Sequence, residues 1–139
     1  MPISSTRTSG RQFRTIPRAS VPFNYGPRCR AEHFDRIEED IAQRLASPFS
    51  DRAYRVQLFA AGLHNCWGRL PRIAVPTLVV HGRHDRMVPV ENGRILAERI
   101  PGARLEILDE SGHLYPTEEP AVDEAIAEFL AARDEKDAA

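Results

Sequence analysis

Apolar residues recur at helical spacing in the first half of the chain. Between residues 30 and 46 they lie three or four positions apart with charged residues between them, which predicts an amphipathic helix. Its apolar positions are Phe34, Ile37, Ile41 and Leu45. A second helix is predicted over residues 51–64, after a break that contains a proline. The two-helix hairpin has no apolar partner of its own, so we expect its apolar faces to need a surface that this chain lacks.

The second half of the chain alternates strand and helix patterns. Residues 77–81 are apolar on both faces, which is typical of a buried parallel strand. A helix is predicted over residues 92–100, and residues 103–108 alternate between apolar and polar as a second strand does. Strand, helix and strand in this order predict a right-handed βαβ unit with parallel strands. A last helix is predicted over residues 120–133.

Two strands are too few for a parallel sheet that is covered on both faces, because sheets average about 5–6 strands. The sequence therefore predicts one side of an α/β sheet with the other strands missing. Residues 1–28 mix Ser, Thr, Arg, Pro and Gly without any period, and we expect an irregular basic arm there. Residues 134–139 are expected to form a frayed tail.

Composition excludes several classes of function. The chain of 139 residues is sized for one domain. Residues 1–30 hold six arginines and no acid, so the rest of the chain carries 13 basic side chains against all 20 acidic ones. An acidic body argues against nucleic-acid binding, and no apolar stretch approaches the ~18–20 residues that span a membrane. The two cysteines have no metal or disulfide spacing, which favours a cytoplasmic protein.

Two titratable residues, Asp85 and His113, directly follow the two predicted strands. Active groups of α/β sheets lie beyond the carboxyl ends of the strands, and parallel neighbours bring both loops to one edge. An aspartate that accepts the Nδ1–H of a histidine leaves Nε2 free to take a proton from a nucleophile. Spacing alone leaves a second interpretation open, in which Asp85 only forms a turn and His113 is a polar surface residue.

The segment around Asp85 resembles the α/β-hydrolase superfamily. Residues 75–89 read VPTLVVHGRHDRMVP, which is close to the pattern vPTLvvhGxxDxxvP of that family. The Ser-Gly-His run that ends at His113 resembles the histidine loop of the family, and the Glu-Glu-Pro run at residues 118–120 is similar as well.

This resemblance implies a partial α/β-hydrolase fold. Residues 70–133 would form the C-terminal part of the hydrolase core, and residues 29–69 a helical, cap-like segment. Asp85 and His113 would be the acid and base of a Ser-His-Asp triad that acts on small esters, lactones or related molecules, with no cofactor or metal. As substrate-binding residues we predict Met87 and Trp67, although core packing is the alternative for the tryptophan.

The sequence departs from the family at the nucleophile. The family's serine lies in a G-x-S-x-G elbow, and this sequence contains none. Ser111 is too near His113 in the chain to be presented to it, and both Cys29 and Cys66 fall in the cap-like segment. We therefore expect the isolated chain to be inactive and the nucleophile to come from elsewhere, since removing it removes most of the rate effect of a triad.

Weaker signals point to other chemistry. The spacing of His81, His84 and Asp85 would suit a metal site, but the family resemblance explains this segment without a metal. Asp109 and Glu110 lie closer to the histidine in sequence than Asp85 does, and either is an alternative acid.

Three hypotheses for the whole chain follow. In the first, the chain acts as a hydrolase together with an N-terminal half-chain, or in a homo-oligomer joined through its exposed strand edge. In the second, it is a non-catalytic remnant or an interaction module. In the third, it is a truncated gene product without activity. A probe for active-site serines separates the first two hypotheses.

Overall fold

A computed structural model describes residues 18–46 and 50–137 of the chain. In chain order its helices and strands are α1 (Val21–Asn24), α2 (Pro27–Glu32), α3 (Phe34–Ala46), α4 (Asp51–Leu63), a 3-10 helix (Trp67–Arg72), β1 (Leu78–Gly82), α5 (Val90–Arg99), β2 (Arg104–Leu108), α6 (Tyr115–Glu118) and α7 (Val122–Asp137).

The predicted βαβ unit is confirmed. Strands β1 and β2 pair in parallel, with Leu78 opposite Arg104 at one end and Gly82 opposite Leu108 at the other. Helix α5 connects them and packs against both strands. The chain is thus of the α/β class, and within the described ranges the sheet has these two strands.

The first described residues cover the middle of the apolar stripe of α3, which was predicted to lack a partner. Ile37 and Ile41 on α3 are buried in one cluster with Val21, Tyr25 and Cys29. The prediction of a missing partner is therefore wrong for the middle of this helix, whereas Phe34 and Leu45 at its two ends are exposed. The tyrosine hydroxyl also donates to Asp40 on the polar side of α3, which fixes the segment in place.

The predicted irregular arm is wrong over residues 21–28. These residues form α1 and the start of α2, and each helix has a proline in its first turn, where the missing N–H costs no hydrogen bond. With four and six residues, the two helices are too short for a 3.6-residue period to register. Residues 1–17 of the predicted arm lie outside the described residues.

The prediction that the apolar faces of the hairpin lack a packing partner is confirmed for helix α4. Ser50 caps its first turn, with its hydroxyl oxygen accepting from the N–H of Ala53 at 3.3 Å. Its large apolar side chains are exposed: Tyr54, Val56, Leu58, Phe59 and Leu63.

A 3-10 helix over residues 67–72 precedes β1 and contains Pro71. The predicted end of the last helix also differs from the structure. The predicted tail is helical as far as Asp137, since good helix formers continue α7 without any apolar stripe to signal it. Residues 138–139 of that tail are outside the described part. Among the described residues, no helix has the length and apolar character to cross a membrane.

Candidate active site

Two loops meet at the carboxyl ends of the strands. The aspartate loop, residues 83–89, follows β1, and the histidine loop, residues 109–114, follows β2. Because the strands are parallel neighbours, both loops leave the sheet at the same edge. His113 Nδ1 lies 2.8 Å from Oδ2 of Asp85, across 28 positions of sequence. The structure therefore brings together the two residues that the sequence predicted as acid and base.

The carboxylate of Asp85 is fixed by its own loop. Its Oδ1 accepts from the backbone N–H groups of Met87 and Val88, both at 2.8 Å. Its side chain is 6% exposed, whereas that of His113 is 39% exposed. Asp85 therefore forms a turn with one carboxylate oxygen while its other oxygen faces the imidazole.

His81, at the end of β1, packs behind this carboxylate. Its Nε2 is 2.9 Å from the carbonyl oxygen of Val88 and 3.5 Å from Oδ2 of Asp85. Its ring lies against Gly93 on α5, where an added Cβ would come within 2.8 Å of the ring nitrogen Nδ1. The glycine therefore makes room for an imidazole that closes off the back of the aspartate loop.

The histidine loop is held from the other side by residues that the sequence did not single out. The carboxylate of Glu118 accepts from the N–H of Gly112 at 2.7 Å and from the N–H of Gly26 at 2.6 Å. The carbonyl oxygen of Asn24 accepts from the N–H of His113 at 2.8 Å and from the next N–H at 3.0 Å. These contacts attach the loop to the segment between α1 and α2.

Burial raises the pKa of Glu118 above its ordinary value. The two backbone N–H groups oppose this effect by stabilising the charged form, and among nearby charges Glu119 adds to the rise while His84 reduces it. The only sequence signal for this residue was its place in the Glu-Glu-Pro run, which carries no indication of its distant partners.

The two predicted substrate-binding residues lie in different places. Met87 is in the aspartate loop, where its backbone N–H donates to Asp85, and the residue is 57% exposed. Trp67 is 52% exposed and lies instead on the guanidinium of Arg99, 3.9 Å from the ring centroid. Arg99 ends α5, roughly 14 Å along that helix from the end that faces the aspartate loop. The structure thus brings Met87 to the pair but not Trp67.

Two candidate nucleophiles among the described residues, Ser111 and Cys29, are buried away from solvent. Ser111 is fully buried, and its hydroxyl donates to Oε1 of Glu119 at 2.6 Å. Cys29 is buried in the α3 cluster, where desolvation raises the pKa of its thiol and keeps it protonated. Cys66 lies before the 3-10 helix, beside Trp67.

The structure also shows the surroundings of the alternative acid Asp109 and of the residues that could bind a metal. Asp109 is exposed and pairs with Arg83, whose Nε donates to its Oδ1 at 2.7 Å, whereas Nδ1 of His113 faces Asp85. Over residues 18–46 and 50–137, no three His, Cys, Asp or Glu side chains are grouped as ligands for a metal.

Comparison with known proteins identifies the family. The family model described as alpha/beta hydrolase fold matches residues 4–120. This chain belongs to the α/β-hydrolase family. The match confirms the predicted superfamily, and it extends further towards the amino terminus than the motifs around Asp85 and His113 did.

Similar proteins are longer than this chain. A poly(3-hydroxyalkanoate) depolymerase of Ectopseudomonas oleovorans is 44% identical over 99 residues, which are 68% of this chain and 35% of that protein. The structure of a thermophilic esterase from Thermogutta terrifontis superposes with a TM-score of 0.74 and 26% identity, covering 88% of this chain and 47% of the esterase. Est816, an N-acyl homoserine lactone degrading enzyme, has a TM-score of 0.63 and 26% identity, with coverage of 88% and 48%. The part shared with this chain is thus between a third and a half of the length of each of these three proteins.

Proposed function

We propose that this chain carries the acid and base of a Ser-His-Asp triad that hydrolyses carboxylic esters or lactones. One observation carries the proposal: Nδ1 of His113 is hydrogen-bonded to a carboxylate that is itself fixed by two backbone N–H groups. A carboxylate in this position selects the histidine tautomer with the proton on Nδ1, so Nε2 is left to act as a base. Metal and cofactor have no part in this chemistry.

The reaction follows from the free Nε2. His113 takes the proton of a serine hydroxyl as the serine oxygen attacks the ester carbonyl, and Asp85 stabilises the imidazolium that forms. The imidazolium then gives its proton to the departing alkoxide, and an acyl-enzyme remains. His113 next takes a proton from water as the water attacks the acyl group, and the serine regains its proton when the acid product leaves.

The serine has to come from outside this sequence. The sequence has no G-x-S-x-G elbow, Ser111 is turned towards Glu119, and the relatives are at least twice as long as the part they share with this chain. We therefore propose that an amino-terminal part with such an elbow, in the same protein or in a separate chain, completes the site. The isolated chain is expected to be inactive.

The substrate class rests on the names of the relatives. They include an esterase, a lactone-degrading enzyme and a poly(3-hydroxyalkanoate) depolymerase. Met87 contacts Asp85 through its backbone N–H and is exposed, and it is the residue of this chain that we propose for contact with the acyl or alcohol group.

A fluorophosphonate probe for activated serines tests the proposal. We expect no labelling of this chain alone. In a fusion in which an amino-terminal part with a G-x-S-x-G elbow, taken from a related α/β-hydrolase, precedes this chain, we expect labelling at the elbow serine and loss of labelling in His113→Ala. Labelling of a serine of this chain would contradict the proposal, as would labelling of the fusion that does not depend on His113. The second result would favour the non-catalytic interaction module.

A further inference from the structure

Glu118 joins two segments that are far apart in the chain. Its side chain is buried, and each of its two oxygens accepts one backbone hydrogen bond, Oε1 from Gly112 and Oε2 from Gly26, at 2.7 and 2.6 Å. The glutamate and Gly26 are separated by 92 residues. A buried carboxylate that accepts two N–H groups is a strong tie, because hydrogen bonds to a charged acceptor are roughly twice as strong as neutral ones.

The hydrogen bond from Gly112 to Glu118 holds the backbone directly before His113. Gly112 precedes this histidine, and the N–H of His113 donates to the carbonyl oxygen of Asn24 at 2.8 Å. The packing leaves no room for adjustment, since a Cβ at Gly112 would come within 2.7 Å of the same carbonyl oxygen. The backbone at His113 is thus held between Glu118 on one side and Asn24, the last residue of α1, on the other.

We infer that Glu118 is a positioning residue for His113, an inference that rests on the proposed role of His113 as the base. It touches neither the imidazole nor a substrate, and it acts through the N–H groups of Gly112 and Gly26. The arrangement needs a carboxylate, because two donors point at one side chain and an amide offers a single acceptor oxygen. Without the tie the histidine loop can shift, and an acid–base pair functions only within about 0.5 Å of its productive geometry.

The neighbouring carboxylate provides a matched control. Glu119 is adjacent in sequence and also hydrogen-bonded to the histidine loop, but it accepts the hydroxyl of Ser111 and no backbone N–H of the loop. Glu118→Gln and Glu119→Gln therefore each remove one carboxylate that contacts the histidine loop. Only the first removes an acceptor for the backbone that carries His113.

Nitrogen-15 NMR of the full chain measures the effect without any enzymatic activity. At a pH where the imidazole is neutral, the ring shifts report the tautomer of His113, and the exchange rate of its Nδ1 proton reports the bond to Asp85. In Glu118→Gln we expect this exchange to accelerate on the order of tenfold, about the effect of one lost hydrogen bond to a charged group. The amides between β1 and β2 should keep the protection of the wild type, and Glu119→Gln should leave the His113 signals unchanged.

Several outcomes would overturn the inference. Unchanged His113 signals in a folded Glu118→Gln variant would do so, and so would equal changes in Glu118→Gln and Glu119→Gln. If Glu118→Gln does not fold, Glu118→Asp replaces it as the test variant. The aspartate keeps both carboxylate oxygens but is shorter by one methylene group. Wild-type His113 signals in Glu118→Asp, or failure of this variant to fold, would also reject a positioning role. Because this readout needs no nucleophile, an inactive fusion would count against the proposed function and leave this test intact.

Discussion

Replacing Asp85 by asparagine is expected to lower kcat for ester hydrolysis by the fusion on the order of 10⁴-fold, and replacing His113 by alanine by at least as much. The asparagine keeps the shape of the side chain but removes the charge that selects the Nδ1–H tautomer and stabilises the imidazolium. KM should change little, because the pair acts on the transition state rather than on bound substrate. Steady-state kinetics with a p-nitrophenyl ester measures both constants.

A variant that carries both substitutions tests whether Asp85 and His113 act as one unit. Residues that act as one unit give non-additive losses, so Asp85→Asn combined with His113→Ala should be no slower than His113→Ala alone. Asp109→Asn is the matched control, because this aspartate lies in the histidine loop but pairs at the surface with Arg83. We expect it to stay within about twofold of the wild type, as exposed ion pairs contribute little. Additive losses, or a large loss in Asp109→Asn, would contradict the assignment.

Gly82→Ala is expected to have the largest effect on stability among the substitutions considered. Gly82 ends β1 and is buried, and a Cβ there would overlap the carbonyl oxygen of Gly112 and come within 2.6 Å of that of Ser111. Both atoms belong to backbone, which cannot rotate away as a side chain does. We expect a loss of about 3 kcal/mol in the free energy of unfolding, at the upper end of the range for overpacked sites.

Gly62→Ala is the control for this substitution. Gly62 lies in α4, and a Cβ there has no neighbouring atom within 4 Å. Alanine is favoured over glycine in a helix, so this variant should be as stable as the wild type or more stable by up to ~1 kcal/mol. Urea unfolding of the two variants and the wild type provides the comparison. Equal stability of Gly82→Ala and the wild type would contradict the close approach of the end of β1 to the histidine loop.

Sequence patterns predicted the local parts of this site. The apolar run before Asp85 and the alternation before His113 identify two strands, and a βαβ unit places their ends together. The hydrogen bond between the two residues follows from these local patterns and the family resemblance, although the residues are 28 positions apart. The patterns also predicted that the apolar face of α4 would stay uncovered.

The long-range parts of the site could not be predicted in this way. Glu118 and Gly26 meet across 92 positions, and a hydrogen bond to a backbone N–H leaves no trace in the residue types it joins. The helices α1 and α2 are too short for periodicity to reveal, so the sequence predicts an irregular arm over residues 21–28. Trp67 illustrates a different limit, since an exposed aromatic ring is equally consistent with a substrate contact and with its observed stacking on Arg99.

The crystal structure of the fusion after fluorophosphonate labelling tests the proposed triad most directly. We expect Oγ of the labelled elbow serine to lie within hydrogen-bond reach of Nε2 of His113, about 2.6–3.2 Å, while Nδ1 of the histidine remains on Asp85. A labelled serine whose Oγ lies beyond the reach of Nε2 of His113, or beside another basic side chain instead, would contradict the proposed triad.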